Sequence, residues 1–232
     1  MAEILLITAV PAERDAVLSP LGVVGVDKSG RYPRYRCEQP AGRITVTCCG
    51  VGPAAAAAGA AMLLAQARYD LVVCAGIAGA FRGQAELRQV VLASRIVHAD
   101  LGADSPAGFL ALHELGFGET EHVVDADLVA ATAPRLDGVM VGPVLTVSTA
   151  TGTDGRAALL AARYAAVAEA MEGAGVYAAA RAADVPMLEV RAVSNVVGRR
   201  DLRGWDIPGA LAALGGAVVS LFGAPLPLGQ RD

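Results

Sequence analysis

Aromatic residues, long apolar runs and clustered positive charge are scarce in this chain of 232 residues, and each scarcity excludes a class of protein. No apolar run reaches the roughly eighteen residues of a membrane helix, so we expect no membrane partner. The first ten residues carry Glu3 and no basic n-region, which favours an unexported, cytoplasmic protein. The formal net charge is −4 with scattered Lys and Arg, whereas nucleic-acid surfaces concentrate positive charge on one face. The composition therefore favours a small-molecule partner over a nucleic acid.

Motifs for common metal, dinucleotide and hydrolase sites are also missing. The four cysteines form no CxxC and the three histidines form no HExxH, so we expect no bound metal. No serine lies in GxSxG, which removes the strongest signal of an α/β-hydrolase triad. Gly50 and Gly52 do not complete GxGxxG because Ala55 occupies the third position. A dinucleotide is therefore disfavoured, and we expect no cofactor.

Apolar segments typical of strands alternate with helical segments along the chain. EILLITA at residues 3–9, followed by Pro11 and Glu13, predicts a strand and a helix N-terminus. RITVTCCG, an alanine-rich stretch and DLVVCAGIAGAF predict two parallel strands joined by a helix. This alternation predicts one α/β domain over residues 1–232 with a mostly parallel sheet.

Two regions interrupt that alternation. Residues 22–49 mix short apolar segments with turn formers, which predicts an antiparallel or meandering part of the sheet. Residues 101–120 are rich in Gly and Ala, and we interpret them as a flap over a site.

Polar residues and glycines fall where strands of such a sheet end. Glu172 opens a helix after a short strand, and Asn195 follows the strand VPMLEVRAVS. Ligands collect at the carboxyl ends of strands in open α/β sheets. Gly76 and Gly79 at the end of another strand allow main-chain groups to touch a ligand, although tight packing of strand on helix is an equally open interpretation. Glu13 by itself is better explained as a partner of the helix dipole.

Together these segments resemble the purine nucleoside phosphorylase and nucleosidase family. CCGVGPAAAAAG is similar to the family's SGIGKVAAALG, VVCAGIAGAF to its NxGxAGG-like turn, AEAMEGAGVY to its VEMEgaA helix start, and VRAVSN to its RxISD strand end. The similarity spans nearly the whole chain in the same order. It implies a single-domain, three-layer α/β/α sandwich around a mixed, mostly parallel sheet. It also implies a homo-oligomer, a dimer or larger, that acts on a nucleoside.

The resemblance implies roles for the residues that match the family's motifs. Glu13, at the last acid of the family's AMEEE segment, would hold and deprotonate the attacking water. Met171 and Glu172 would line the ribose, and Glu172 would accept hydrogen bonds from its 2′- and 3′-hydroxyls. The other expected substrate contacts are Gly76, Ile77, Ala78, Gly79, Arg191, Ser194, Asn195, Arg200 and Trp205.

Asn195 is a departure from the nucleosidases, which carry an aspartate there that donates a proton to N7 of adenine. A carboxamide is no general acid at neutral pH, but it offers both a donor and an acceptor. An amide therefore suits a 6-oxopurine, whereas a carboxylate facing O6 would set acceptor against acceptor at a cost of about 1 to 3 kcal/mol. This substitution predicts hypoxanthine as the leaving base.

Two further segments refine the expected reaction. TAVPAERDA contains Glu13 and no glycine-rich GDPxR-like element, and a carboxylate there suits water better than phosphate. The extension SNVVGRRDLRGWDI replaces the SDxAD of adenosine-type nucleosidases and resembles a separate hydrolase branch, whose substrate ends in a benzoate. Its basic residues and Trp205 are candidates for binding that carboxylate, or they form a solvated loop. A phosphorylase, an adenine-releasing nucleosidase and a nucleoside-binding module without turnover remain alternatives.

Overall fold

A computed structural model of the protein describes residues 1–228. The strands are β1 (Glu3–Thr8), β2 (Gly25–Asp27), β3 (Arg34–Gln39), β4 (Gly42–Cys48), β5 (Leu71–Ala80), β6 (Val90–His98), β7 (Gly102–Ser105), β8 (Gly108–Ala111), β9 (Glu121–Val123), β10 (Met140–Thr146), β11 (Ala168–Ala170) and β12 (Met187–Val196). The α-helices are α1 (Pro11–Leu21), α2 (Pro53–Leu64), α3 (Ala126–Thr132), α4 (Asp154–Tyr164), α5 (Gly173–Ala182) and α6 (Ile207–Phe222).

The large sheet is mixed and runs in the order β11-β10-β6-β12-β5-β1-β4-β3-β2. Parallel pairs occupy its centre, where β1 lies between β4 and β5 and where β12 lies beside β5. The end of β5 also pairs with β11. The strands β5, β12, β6, β10 and β11 therefore form a closed ring, and this ring brings β5, β11 and β12 together at one place.

Helices cover the sheet in two pairs, α1 with α6 and α2 with α5. Helices α2 and α5 approach closely because Gly175 has no side chain. A Cβ at this position would lie 2.1 Å from the carbonyl oxygen of Pro53. This arrangement confirms the predicted three-layer α/β/α sandwich with a mixed sheet. In residues 1–228, every helix is too short or too polar to cross a membrane.

Most of the predicted elements form. The segment at residues 22–49 is the antiparallel meander β2-β3-β4, as predicted. The predicted strand-helix-strand unit is β4-α2-β5, with β1 inserted between its two strands. Residues 102–111 form the separate hairpin β7-β8, and a movement of this region as a flap stays a prediction.

The glycine segment of β5 differs from its prediction. Gly76 and Gly79 lie inside β5 and not in a turn after it, and β6 follows β5 with no intervening helix. Gly76 still packs against a helix, because a Cβ there would lie 2.6 Å from Glu13 Oε1 in α1, whereas a Cβ at Gly79 would meet Val197 and Asn195. The strand continues because both of its edges have partners, β12 on one side and β11 on the other.

Candidate active site

A cavity of about 240 Å³ opens where the ends of β1, β5, β11 and β12 meet. Ten of the predicted site residues line it: Glu13, Ile77, Ala78, Gly79, Met171, Glu172, Ser194, Asn195, Arg200 and Trp205. The other two, Gly76 and Arg191, lie directly behind this lining. Gly76 is a glycine for a steric reason, because a Cβ there would lie 2.6 Å from both Arg191 Nη1 and Glu13 Oε1.

Glu13 is held in the first turn of α1 by main-chain donors. Its side chain is buried. Oε2 accepts hydrogen bonds from the N–H groups of Ala9 at 3.0 Å and Val10 at 3.2 Å, and Oε1 accepts one from the N–H of Ile77 at 2.8 Å. The two carboxylate oxygens are therefore fixed in position at the wall of the cavity.

The environment of Glu13 suits a general base. Burial raises the pKa of its carboxyl above the ordinary value, against the opposing effects of the Arg191 charge and of the hydrogen bonds from Ile77 and Ala9. Glu172 adds a smaller effect that raises the same pKa. A carboxylate with a raised pKa accepts a proton more readily than an exposed one.

Glu172 lies at the N-terminus of α5, at the N-cap position. Its Oε1 accepts a hydrogen bond from the N–H of Gly52 at 3.2 Å, and its Oε2 accepts one from Arg191 Nη1 at 3.1 Å. The N-terminus of a helix carries a partial positive charge, which favours a negative charge at this place. The contact with Gly52 joins the glycine turn before α2 to the start of α5.

Arg191 is the centre of a buried charged cluster that we define as Cys74, Glu172, Glu189 and Arg191. Its guanidinium donates to Glu189 Oε1 at 2.9 Å, to Glu172 Oε2 at 3.1 Å and to Cys74 Sγ at 3.3 Å. Only 1% of Arg191 and 0% of Glu189 is exposed. Glu189 also explains a glycine, because a Cβ at Gly173 would lie 2.1 Å from Glu189 Oε2.

The buried charged cluster shifts the pKa values of Arg191 and Glu189. Burial by itself lowers the pKa of Arg191, but Cys74 and then the nearby carboxylates more than offset it and raise that pKa well above the ordinary value. Burial also raises the pKa of Glu189, in part against the charge of Arg191. Sequence reasoning missed Glu189, although the spacing of Glu189 and Arg191 by two residues placed both on one face of a strand.

Asn195 lies beside a bulge near the end of β12. The pairing with β5 shifts between Val193 and Asn195, so Ser194 is the extra residue. The Ser194 hydroxyl lies 2.8 Å from Asn195 Oδ1 and 3.2 Å from the carbonyl oxygen of Ala78. Gly79 makes room for the amide, since a Cβ there would lie 2.9 Å from Asn195 Nδ2.

Glu169 and Thr151 line the same cavity and were missed from sequence. Both are buried, and Thr151 donates to Glu169 through its main-chain N–H at 2.8 Å and through its hydroxyl at 2.5 Å. Burial raises the pKa of Glu169, while the two bonds from Thr151 lower it. The signal was weak, because the loop that contains Thr151 is rich in Ser, Thr and Gly and matches many functions.

The basic loop after β12 contributes a cation and an aromatic ring to the mouth of the cavity. The Arg200 guanidinium lies 5.2 Å from the centre of the Trp205 ring, which is a cation–π geometry. Arg199 also lines the cavity. Arg203 does not reach it, because its side chain is 91% exposed and pairs with Asp201.

The sequence is similar to those of known proteins over most of its length. The model of the phosphorylase superfamily matches residues 3–214. A futalosine hydrolase from Streptomyces coelicolor is 47% identical over 224 residues, which are 94% of this chain and 94% of that protein. A futalosine hydrolase from Acidothermus cellulolyticus is 46% identical, over 95% of this chain and 90% of that protein.

Solved structures show the same fold at low sequence identity. The 5'-methylthioadenosine/S-adenosylhomocysteine nucleosidase from Helicobacter pylori superposes with a TM-score of 0.84 at 17% identity. The match covers 95% of this chain and 97% of that one. At this identity the similarity establishes the architecture only.

Proposed function

The chain belongs to the phosphorylase superfamily, and we propose that within it this protein is a futalosine hydrolase. It would be an N-glycosyl hydrolase that cleaves futalosine with water into hypoxanthine and dehypoxanthine futalosine, a step of menaquinone biosynthesis. The sequence identities of 47% and 46% to two futalosine hydrolases support futalosine as the substrate. The observation that carries the reaction type is Glu13, a buried carboxylate fixed by three main-chain donors at the cavity wall.

Glu13 supports water over phosphate as the nucleophile. A phosphate dianion beside a carboxylate is repelled in a site shielded from solvent, whereas water donates a hydrogen bond to it. Arg191 does not supply a phosphate site, because its guanidinium is already bonded to Glu172, Glu189 and Cys74. We therefore assign hydrolysis and not phosphorolysis.

The mechanism that we propose is dissociative. The bond between C1′ and N9 stretches into a ribooxocarbenium-like state, which the negative charge of Glu172 stabilises next to the sugar. Water then attacks C1′ and gives its proton to Glu13, which acts as the general base. Met171 packs against the ribose. Because Arg191 already bonds Glu172 Oε2, it fixes the direction in which this carboxylate meets the ribose hydroxyls.

The base leaves with its negative charge stabilised by Asn195. The amide Nδ2 donates to the main-chain oxygen of Val196 at 3.2 Å and retains a second N–H. That N–H would bond N7 or O6 of hypoxanthine as charge develops there. Since an amide supplies no proton at neutral pH, the departing base takes its proton from solvent.

Arg200 and Trp205 are our candidates for the benzoate end of the substrate. They are joined by a cation–π contact at the cavity mouth, and together they offer an aromatic face and a positive charge. Benzoate combines a flat ring with a carboxylate, so both of its parts find a partner there.

One assay tests the proposed function. The protein is incubated with futalosine, inosine and methylthioadenosine, with and without phosphate, and the free base is followed. We expect hypoxanthine from futalosine at a rate that phosphate does not change. Strict dependence on phosphate would instead identify a phosphorylase, release of adenine an adenine-specific nucleosidase, and binding without turnover a nucleoside-binding module.

The catalytic role of Glu13 is tested by Glu13→Gln. We expect this variant to bind futalosine but to lose hypoxanthine release by at least about 100-fold, the usual contribution of a general base. Undiminished turnover would remove Glu13 from the mechanism. Glu38→Gln is the matched control, because Glu38 is an exposed glutamate on β3.

We also propose that the active form is a homo-oligomer. Val51, before α2, and Met62, within α2, are apolar and remain 53% and 43% exposed. An interface between copies of this chain would cover them. Light scattering after size-exclusion chromatography should give a dimer or a larger particle, and a monomer at micromolar concentration would contradict this proposal.

A further inference from the structure

The Asn195 amide leaves one edge of hypoxanthine without a partner. Its Oδ1 faces the Ser194 hydroxyl at 2.8 Å, so its NH2 group is the part available to a ligand. That group donates to N7 or O6. The N1–H of a 6-oxopurine is a donor and needs a separate acceptor, because an unmatched donor in a buried site is costly.

Glu169 is a buried acceptor in the same cavity that the mechanism above does not use. Each of its oxygens receives one hydrogen bond, both from Thr151. A carboxylate oxygen accepts about two hydrogen bonds, so acceptor capacity remains on the side that lines the cavity. Thr151 also fixes the position of the carboxylate, since one of the two donors is a main-chain N–H.

The pairing of the strands places Glu169 and Asn195 on opposite sides of Gly79. Glu169 of β11 and Asn195 of β12 are both the register partners of Gly79 in β5. Two strand spacings separate them, which is about 10 Å between their Cα atoms. The residue between them has no side chain, so a flat base can lie over Gly79 with one polar edge toward each neighbour.

We propose that Glu169 determines the specificity for the 6-oxopurine base by accepting a hydrogen bond from N1–H, while Asn195 donates to N7 or O6. The inference rests on the proposed function, since it assumes that the leaving base is hypoxanthine. Adenine carries a lone pair at N1 instead of a proton. The Glu169 carboxylate would then face an acceptor, and the base would be rejected at this edge.

The test measures binding of free bases by titration calorimetry and so needs no turnover. The ligands are hypoxanthine, 1-methylhypoxanthine, which has lost the N1–H, and adenine. For the unmodified protein we expect 1-methylhypoxanthine and adenine each to bind at least about tenfold more weakly than hypoxanthine, the effect of one unmatched buried polar group. In Glu169→Leu we expect the penalty for N1-methylation to fall below about threefold.

Glu169→Gln is the second variant, because the leucine leaves the main-chain N–H of Thr151 without an acceptor and risks misfolding. The glutamine retains the shape and an acceptor for Thr151, and its NH2 group donates to N1 of adenine. We expect the ratio of adenine to hypoxanthine affinity to rise at least about fivefold in this variant, less than the full effect of one buried hydrogen bond. Glu38→Gln on β3 is again the control, with unchanged ratios.

Two results would overturn the inference. One is a penalty for N1-methylation in Glu169→Leu equal to that of the unmodified protein. The other, decisive if the leucine variant does not fold, is an unchanged ratio of adenine to hypoxanthine affinity in Glu169→Gln. If futalosine is hydrolysed and these ratios do not move, only the role of Glu169 fails. If the ratios move but no nucleoside is hydrolysed, only the proposed function fails.

Discussion

Replacing Arg191 by methionine should destabilise the protein severely. The guanidinium is 1% exposed and bonds Glu189 at 2.9 Å and Glu172 at 3.1 Å. Removing one partner of a buried ion pair costs about 3 to 5 kcal/mol, because the other charge is left uncompensated. That loss is a large fraction of the roughly 5 to 15 kcal/mol that stabilises an ordinary domain. Urea unfolding followed by circular dichroism measures it as a lower midpoint at an unchanged slope.

The deficit of Arg191→Met should depend on pH in a defined direction. Burial already raises the pKa of Glu189, and loss of the guanidinium raises it further. A carboxyl with a raised pKa in the folded state holds a proton that the unfolded chain releases, so stability falls as pH rises above the unfolded value of about 4.3. The free energy lost in the variant should therefore be larger at about pH 8 than at about pH 5.

Two further variants make the interpretation specific. Arg203→Met removes an arginine whose side chain is 91% exposed and paired with Asp201, and it should leave the urea midpoint nearly unchanged. Adding Glu189→Leu to Arg191→Met removes the stranded carboxylate and should restore part of the loss. A deficit below about 1 kcal/mol for Arg191→Met, or one that is the same at both pH values, would refute the reasoning.

Three further outcomes are expected. Since burial raises the pKa of Glu13 and the base must be ionised, kcat/KM should fall as the pH drops through an apparent pKa above that of an ordinary glutamate. A fall of kcat/KM only at or below the pKa of an ordinary glutamate would contradict the role. Gly79→Ala places a Cβ 2.9 Å from Asn195 Nδ2 and should lower kcat/KM about 10- to 100-fold, because the amide must move; unchanged kinetics would show that it does not. Asn195→Asp sets a carboxylate against O6 and should lower kcat/KM for hypoxanthine release by a similar factor of about 10 to 100, and equal rates would remove Asn195 from base selection.

The elements that sequence predicted best are those whose pattern is local. The strand VPMLEVRAVS and the helix after Glu172 follow from apolar periodicity, and the convergence of strand ends at one edge brought Glu172 and Asn195 to one cavity. The α/β class with a mostly parallel sheet followed from the order of strands and helices, and the three-layer sandwich was implied by the resemblance to the family. These predictions needed no knowledge of which strand lies next to which.

The residues that were missed depend on contacts between distant segments. Glu169 is a cavity residue only because Thr151 holds it and because the end of β5 pairs with β11. Glu189 reads as an ordinary polar residue in a strand until Gly173 is seen to leave room for it. The position of Gly79 inside a strand was missed for the same reason, since a glycine gives no local sign that both edges of its strand have partners.

The hydrogen bonds of Glu13 make the amide proton of Ile77 a probe of the catalytic base. That N–H lies 64 residues from Glu13 in the chain and donates to it at 2.8 Å. Its exchange with solvent deuterium therefore requires that the hydrogen bond to the Glu13 carboxylate breaks. Mass spectrometry of the peptide that contains Ile77 would report how often the end of β5 and the first turn of α1 separate, in the absence of any substrate.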